Sequence, residues 1–179
     1  MGLNQINRFT HINGAAIYAL DDNGKAESEP SAIDVAITLP VLEFETADVN
    51  MMGTLSIVDQ TRLGNIQVTA SLEADNPQTQ KLIGPGLKKW KILWTENILQ
   101  PNGLSDVIGF QVTCGGYVTS IPEGPKELGS QAVADYAMNC VSITKTDSNN
   151  NVYYDVDRSQ SKLRVNGIDY RARINELLG

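Results

Sequence analysis

A chain of 179 residues can bury a core without a disulfide scaffold and is too short for two full domains, so a single domain over residues 1–179 is expected. Its 14 basic and 21 acidic residues leave a net charge of −7, which argues against a surface built to grip phosphate backbones. No uninterrupted apolar run approaches the roughly 20 residues that span a bilayer, and residues 1–13 lack an apolar h-region, so the chain is expected to fold inside the cell without stable membrane insertion.

Residues 15–20 form the first strand-like run, which ends in Asp21-Asp22-Asn23-Gly24, where Asn-Gly favours positive φ and reverses or breaks a strand. A polar linker, 25–31, follows. Residues 33–44 set Ile33, Val35, Ile37 and Leu39 against Asp34, Ala36 and Thr38, predicting one strand with an apolar and a polar face, broken or bulged at Pro40. Residues 45–65 contain Gly, Asp and Met with no sustained period and predict a long loop of the functional or partner-ordered kind.

The strand pattern returns in Ile66, Val68, Ala70 and Leu72 against Gln67, Thr69, Ser71 and Glu73. A short helix is predicted over 76–83, with Asn76 as cap, Pro77 at the first helical position and Gly84-Pro85-Gly86 as the stop. Two more strands, 88–98 and 107–121, flank a Pro101-Asn102-Gly103 turn. After a loop at 122–129, a long strand over 132–146 and the run Val152, Tyr153, Tyr154 enclose a polar Asp147-to-Asn151 turn, which predicts a hairpin. The tail reads as a short strand, 161–166, and after Gly167 a brief amphipathic helix carrying Ile174, Leu177 and Leu178, an apolar end that needs somewhere to dock. Strand-like runs between turn-rich connections make the fold class mainly β.

Chemistry-bearing clusters are sparse. His11 is the single histidine, so no two-histidine metal site, Cys-His zinc cluster or imidazole pair can be assembled. Cys114 and Cys140 sit in separate apolar stretches and fit buried free thiols better than a bridge. Glu43 and Glu45 share a strand face as a glycosidase pair would, but with no aromatic sugar platform nearby a solvated face is the simpler account. Gly115-Gly116 lies mid-strand, which suits close backbone approach rather than a phosphate cradle. Lys88, Lys89 and Lys91 alternate with Trp90, Leu93 and Trp94 in a pattern able to stack single-stranded bases; the net charge favours a subunit contact or a solvated face. No catalytic residue, cofactor or metal is expected.

The distinguishing feature is a set of strands whose second face is polar and uncharged to acidic: Asp34 with Thr38, the series Gln67, Thr69, Ser71, Glu73, and Asp135 with Asn139. A wide barrel with a water-filled bore needs such an inner face, and one chain of this length cannot close it alone, so several copies would share it. The alternative is a β-sandwich module binding carbohydrate or protein, with Trp90, Trp94, Tyr153 and Tyr154 as its platform.

Four stretches in chain order carry a family resemblance: Ile12-Asn13-Gly14-Ala15-Ala16-Ile17-Tyr18, then Leu39-Pro40 followed by Glu43-Phe44-Glu45, then Met51-Met52-Gly53-Thr54-Leu55, and Val165-Asn166-Gly167-Ile168-Asp169 with Arg171 and Arg173 after it. In these the sequence resembles the major tail tube protein of contractile-tailed phages and the tubes of phage-tail-like bacteriocins, departing from them in a longer, more acidic connection at 21–31. The resemblance implies a β-sandwich or partial-barrel subunit with one short helix flanking the sheets and a short C-terminal helix. Such subunits would form homo-hexameric rings with a shared inner β-barrel, stacked into a hollow tube.

It also implies a sheath protein outside, baseplate or initiator and terminator proteins at the ends, and DNA or ions passing the lumen without tight binding. The particle would be made in the bacterial cytoplasm and end as a virion tail or released bacteriocin. Carried onto this chain, the lumen strands are 33–44 with 66–74 and 110–121 with 132–146, and the lumen-lining candidates are Asp34, Thr38, Gln67, Thr69, Ser71, Glu73, Asp135 and Asn139. The N-terminal arm (1–13), the 45–65 loop and the C-terminal arm (161–179) become inter-ring contacts, with Met51, Met52, Leu55, Asn166, Asp169, Arg171 and Arg173 as the inter-subunit candidates.

Overall fold

A computed structural model describes residues 9–50, 54–73, 76–99, 105–120 and 133–178. The elements are β1 (Phe9–Leu20), β2 (Ala32–Ile33), β3 (Ala36–Thr38), β4 (Phe44–Asn50), β5 (Thr54–Leu63), β6 (Gln67–Glu73), α1 (Pro77–Gln80), β7 (Lys88–Leu99), β8 (Ser105–Val118), β9 (Val133–Asp147), β10 (Val152–Asp157), β11 (Lys162–Val165), β12 (Ile168–Asp169) and α2 (Ala172–Leu178). The mainly β class and the short C-terminal helix read from the sequence are borne out.

Strands with one apolar face join into a single antiparallel sheet in the order β12-β11-β10-β9-β8-β7-β1-β2. β9 is long enough to serve two neighbours on one edge, β6 along Val133 to Asn139 and β10 along Ser142 to Thr146. β6 in turn pairs with β3, and only two residues separate β3 from β2 on the far margin. The sheet therefore returns on itself through β1, β7, β8, β9, β6 and the β2–β3 run, a partial barrel filled by Ile17, Val68, Leu72, Trp90, Val112, Tyr136, Met138 and Ile143. Burying each of these side chains contributes about 1.5–3 kcal/mol, so the dry interior is what holds the ring of strands closed.

Two local devices set the register. Between β8 and β9 the pairing shifts at Gly115/Gly116, and a Cβ on Gly116 would come within 2.0 Å of the Asn139 carbonyl oxygen. The close backbone approach expected there is thus a β-bulge that only glycine can occupy. Asp34 is the second device: with φ at 54° it turns the chain between β2, which pairs with β1, and β3, which pairs with β6. The single strand expected over 33–44 is therefore two short strands on opposite margins of the sheet, with residues 39–43 outside strand structure.

Three further expectations are corrected. Residues 45–65 are not a loop: β4 and β5 form an antiparallel hairpin, Phe44↔Leu63 through Asn50↔Thr54, that belongs to a separate two-stranded sheet. His11, which the sequence puts in an N-terminal arm, is on β1, opposite Asn97. The helix predicted over 76–83 keeps its cap, Asn76 Oδ1 accepting from the Gln78 N–H at 2.9 Å, but only Pro77–Gln80 is α-helical. Beyond it, tighter bonds from Leu82 N–H to Thr79 O and Ile83 N–H to Gln80 O complete the turn. The buried indole N–H of Trp90 donates to Leu82 O at 2.9 Å and locks this turn onto the core. The Pro101-Asn102-Gly103 turn and the 122–129 loop lie outside the described residues.

Candidate assembly surfaces

Because β6 buries Val68, Ala70 and Leu72, its alternate residues face away from the core, and the register carries that outer face across three neighbours. Thr38 lies opposite Thr69, and Thr69 opposite Ala137; Ala36, Ser71 and Asp135 form the next row; Gln67, Asn139 and Tyr117 form the row on the other side; Glu73 stands opposite Val133. Seven lumen-lining candidates, Thr38, Gln67, Thr69, Ser71, Glu73, Asp135 and Asn139, are thus brought together on one continuous face. Asp34 is not: its backbone N–H donates to Ala15 O at 2.7 Å and its carboxylate lies beside Gly14 on β1. Tyr117, half-exposed on this face, was missed, because the bulge at Gly115/Gly116 hides its alignment with Asn139 from any sequence period.

The charge on this face is acidic. Glu73 and Asp135 are exposed, and the Ser71 hydroxyl donates to Asp135 Oδ1 at 2.5 Å. Asn139 Oδ1 is buried without a hydrogen-bond partner, an arrangement that costs about 1–3 kcal/mol in an isolated subunit.

The β4–β5 hairpin presents a second surface. Leu55, Ile57 and Val58 are all exposed, and a lone two-stranded ribbon is marginal in water unless something packs on it. Among the described residues only its base is fastened: Gly64 N–H donates to Glu43 O, the Arg158 guanidinium donates to the carbonyls of Leu63 and Gly64, and the Phe44 and Tyr170 rings sit 5.5 Å apart. Of the inter-subunit candidates, Leu55 is on this hairpin, whereas Met51 and Met52 lie outside the described residues.

The C-terminal candidates occupy a third surface. Asn166 and Gly167 both take positive φ, 48° and 81°, as a two-residue hairpin turn requires, and so connect β11 to β12. Asp169 accepts from the Arg171 N–H at 2.9 Å and pairs with Arg164 at 3.4 Å; Arg173 pairs with Glu176 at 2.7 Å on α2. Leu177 and Leu178 are 70% and 79% exposed, so among the described residues the end of the apolar tail has no dock. Arg171 Nε is buried and unpartnered.

The aromatic residues do not make a platform. Trp90 is wholly buried, which removes it from base stacking and from sugar binding alike, and burial pushes the Tyr154 phenol up to about 12. Trp94 stacks on Phe110 at 5.3 Å, and Lys145 Nζ sits 5.1–5.4 Å from the rings of Trp94, Phe110 and Tyr153, so a cation of this chain already lies against them. Glu43 and Glu45 are exposed at the foot of the hairpin. Cys114 and Cys140 are free and buried, each thiol donating to a backbone carbonyl, Trp90 O at 3.8 Å and Met138 O at 3.7 Å. Among the described residues no group of three His, Cys, Asp or Glu side chains could hold a metal ion, and no helix is long and apolar enough to cross a membrane.

A dry barrel with a polar outer face and an unattached hairpin is a subunit shaped for neighbours. The family model for phage tail tube protein FII matches residues 26–179. The chain belongs to the phage tail tube protein FII family. It is a structural subunit of a phage tail tube, a virion component that assembles into a tube with other phage proteins. The match takes in three of the four stretches that carried the resemblance, those at 39–45, 51–55 and 165–169, and leaves out the one at 12–18. No curated protein matches the chain.

Proposed function

We propose that the subunit forms homo-hexameric rings that stack into the inner tube of a contractile apparatus, with the β3–β6–β9–β8 outer face lining the bore. The observation that carries this reading is the continuity of that face: Thr38, Thr69, Ser71, Asp135, Gln67, Asn139 and Glu73 stand on adjacent, register-matched strands, with no cation among them. A bore lined in this way repels DNA phosphates weakly and evenly, so DNA or ions pass without being held. The β4–β5 hairpin, the N-terminal residues and α2 then reach the neighbouring ring, where Leu55, Ile57, Leu177 and Leu178 lose their water. A sheath protein encloses the tube, baseplate or initiator and terminator proteins close its ends, and sheath contraction drives it through the target envelope. Synthesis takes place in the bacterial cytoplasm, and the finished tube belongs to a virion tail or a released bacteriocin particle.

The decisive experiment is microscopy of the protein co-expressed with its baseplate partners. Stacked rings with six-fold top views and Asp135 density toward the channel are the expected result. Rings of another order, or Asp135 on the outside wall, would refute the corresponding part.

A further inference from the structure

A chain with seven more acids than bases concentrates four of its 14 cations around one pocket. Arg62 from β5, Arg158 after β10, Lys162 from β11 and Arg171 ahead of α2 line a recess of about 290 Å³, where the hairpin base meets the end of the main sheet. Two of the four are committed: Arg62 lies 3.7 Å from Asp59, and Lys162 pairs with Asp155. The other two have no carboxylate: Arg158 donates from Nη2 to the carbonyls of Leu63 and Gly64, and among the described residues neither it nor Arg171 is in an ion pair.

Arg171 Nε is buried at this junction with its N–H unanswered. The one uncommitted acid in the lining is Glu45, exposed and in no ion pair among the described residues. Asp59 records the local field: its carboxyl is held below the usual range first by hydrogen bonds from Thr61 and then by Arg62 and Arg171. Two planar guanidinium groups without carboxylates, flanked by two further cations, supply the forked N–H donors from which an oxyanion accepts.

We propose that this pocket is an oxyanion site that takes a carboxylate or phosphate group between Arg158 and Arg171. The group comes either from an acidic side chain of a second copy of this chain or from a free phosphate ion. Filling it fastens the hairpin to the C-terminal segment by answering the charge that the two bring together.

The test begins on the disassembled full-length chain, titrated with inorganic phosphate against chloride at matched ionic strength and read by thermal melting and ³¹P resonance broadening. Phosphate is expected to raise the melting temperature saturably, and Arg171→Gln to weaken its apparent affinity about tenfold or more, with Arg171→Lys intermediate. Equal effects of phosphate and chloride, or equal phosphate affinity in the wild type and in a folded Arg171→Gln, would overturn the site. The lysine variant keeps the test open should the glutamine variant not fold.

A second arm separates the sources. If a second copy supplies the carboxylate, phosphate slows tube elongation relative to chloride; if the free ion is the ligand, elongation is not slowed while phosphate still binds. Failure to form tubes at all would count against the tube geometry and leave the phosphate result on the single chain standing.

Discussion

Ser71 and Asp135 stand directly opposite one another on β6 and β9, and the Ser71 hydroxyl donates to the Asp135 carboxylate at 2.5 Å. On an exposed face such a bond adds little to stability, but it fixes a negative charge at the centre of the polar face, one row from Glu73. Reversing both charges, Glu73→Lys with Asp135→Lys, should leave the isolated subunit within about 1 kcal/mol of wild type by urea unfolding. Tubes of the double variant should retain DNA in a low-salt mobility assay and release it as salt rises, which wild-type tubes do not do. Absence of retention in well-formed variant tubes would remove these residues from the bore.

The hairpin separates folding from assembly. Leu55 and Ile57 are 54% and 47% exposed, so replacing both with Asp gives up only partly covered surface and no core contact within the subunit. The unfolding midpoint of the monomer should move by less than about 0.5 kcal/mol. Pelleting of tubes and their appearance in negative stain should be lost, since each carboxylate would have to be desolvated against a neighbour. Normal tubes from this variant would show that the hairpin faces solvent in the particle.

How much of this could be read beforehand depended on whether burial was one-sided. Val68, Ala70 and Leu72 alternate against Gln67, Thr69 and Ser71 because β6 has a core on one side only, and so the strand and its faces were legible. The β4–β5 hairpin buries neither face in its own chain, and without one-sided burial Thr46, Val58 and Ile57 show no period to read. Asp34 breaks a strand whose alternation continues through it, because a positive φ redirects the chain without changing which residues are apolar. The cationic pocket was invisible for a different reason: Arg62, Arg158, Lys162 and Arg171 are united by pairing over long sequence distances, and no local spacing encodes that.

Trp90 tests the dry interior directly. Its ring is fully buried and its N–H is answered by Leu82 O, so Trp90→Ala should cost about 3–5 kcal/mol through the cavity it leaves. Trp90→Phe keeps most of the apolar volume but leaves the Leu82 carbonyl without its donor, and should cost less, about 1–3 kcal/mol. Urea unfolding followed by far-ultraviolet circular dichroism measures both. Near-equal, small losses would mean that water reaches this side chain and that the barrel is not closed around it.

The β9–β10 turn predicts how stability responds to acid. Asp147 accepts from the Asn149 and Asn151 backbone N–H groups at 2.8 and 2.9 Å, from the Asn151 side chain at 2.9 Å and from the Tyr153 hydroxyl at 3.3 Å. The Asn151 side chain, followed by the backbone donors, holds its carboxyl below the ordinary value of 3.8. A carboxyl that is more acidic folded than unfolded stabilises fully above the unfolded value, and loses that contribution as pH falls through the folded one. At neutral pH the turn therefore has its whole contribution, and below pH 3.8 the unfolded chain takes up the proton first and stability declines. Asp59 and Asp157 shift the same way through Thr61 and Ser159, so removing one group should flatten the acid limb only in part. Asp147→Asn should be less stable than wild type at pH 7 and should lose less on going to about pH 2, in urea midpoints taken across that range. Parallel acid limbs for the two proteins would mean that the turn carboxylate is no better stabilised folded than unfolded.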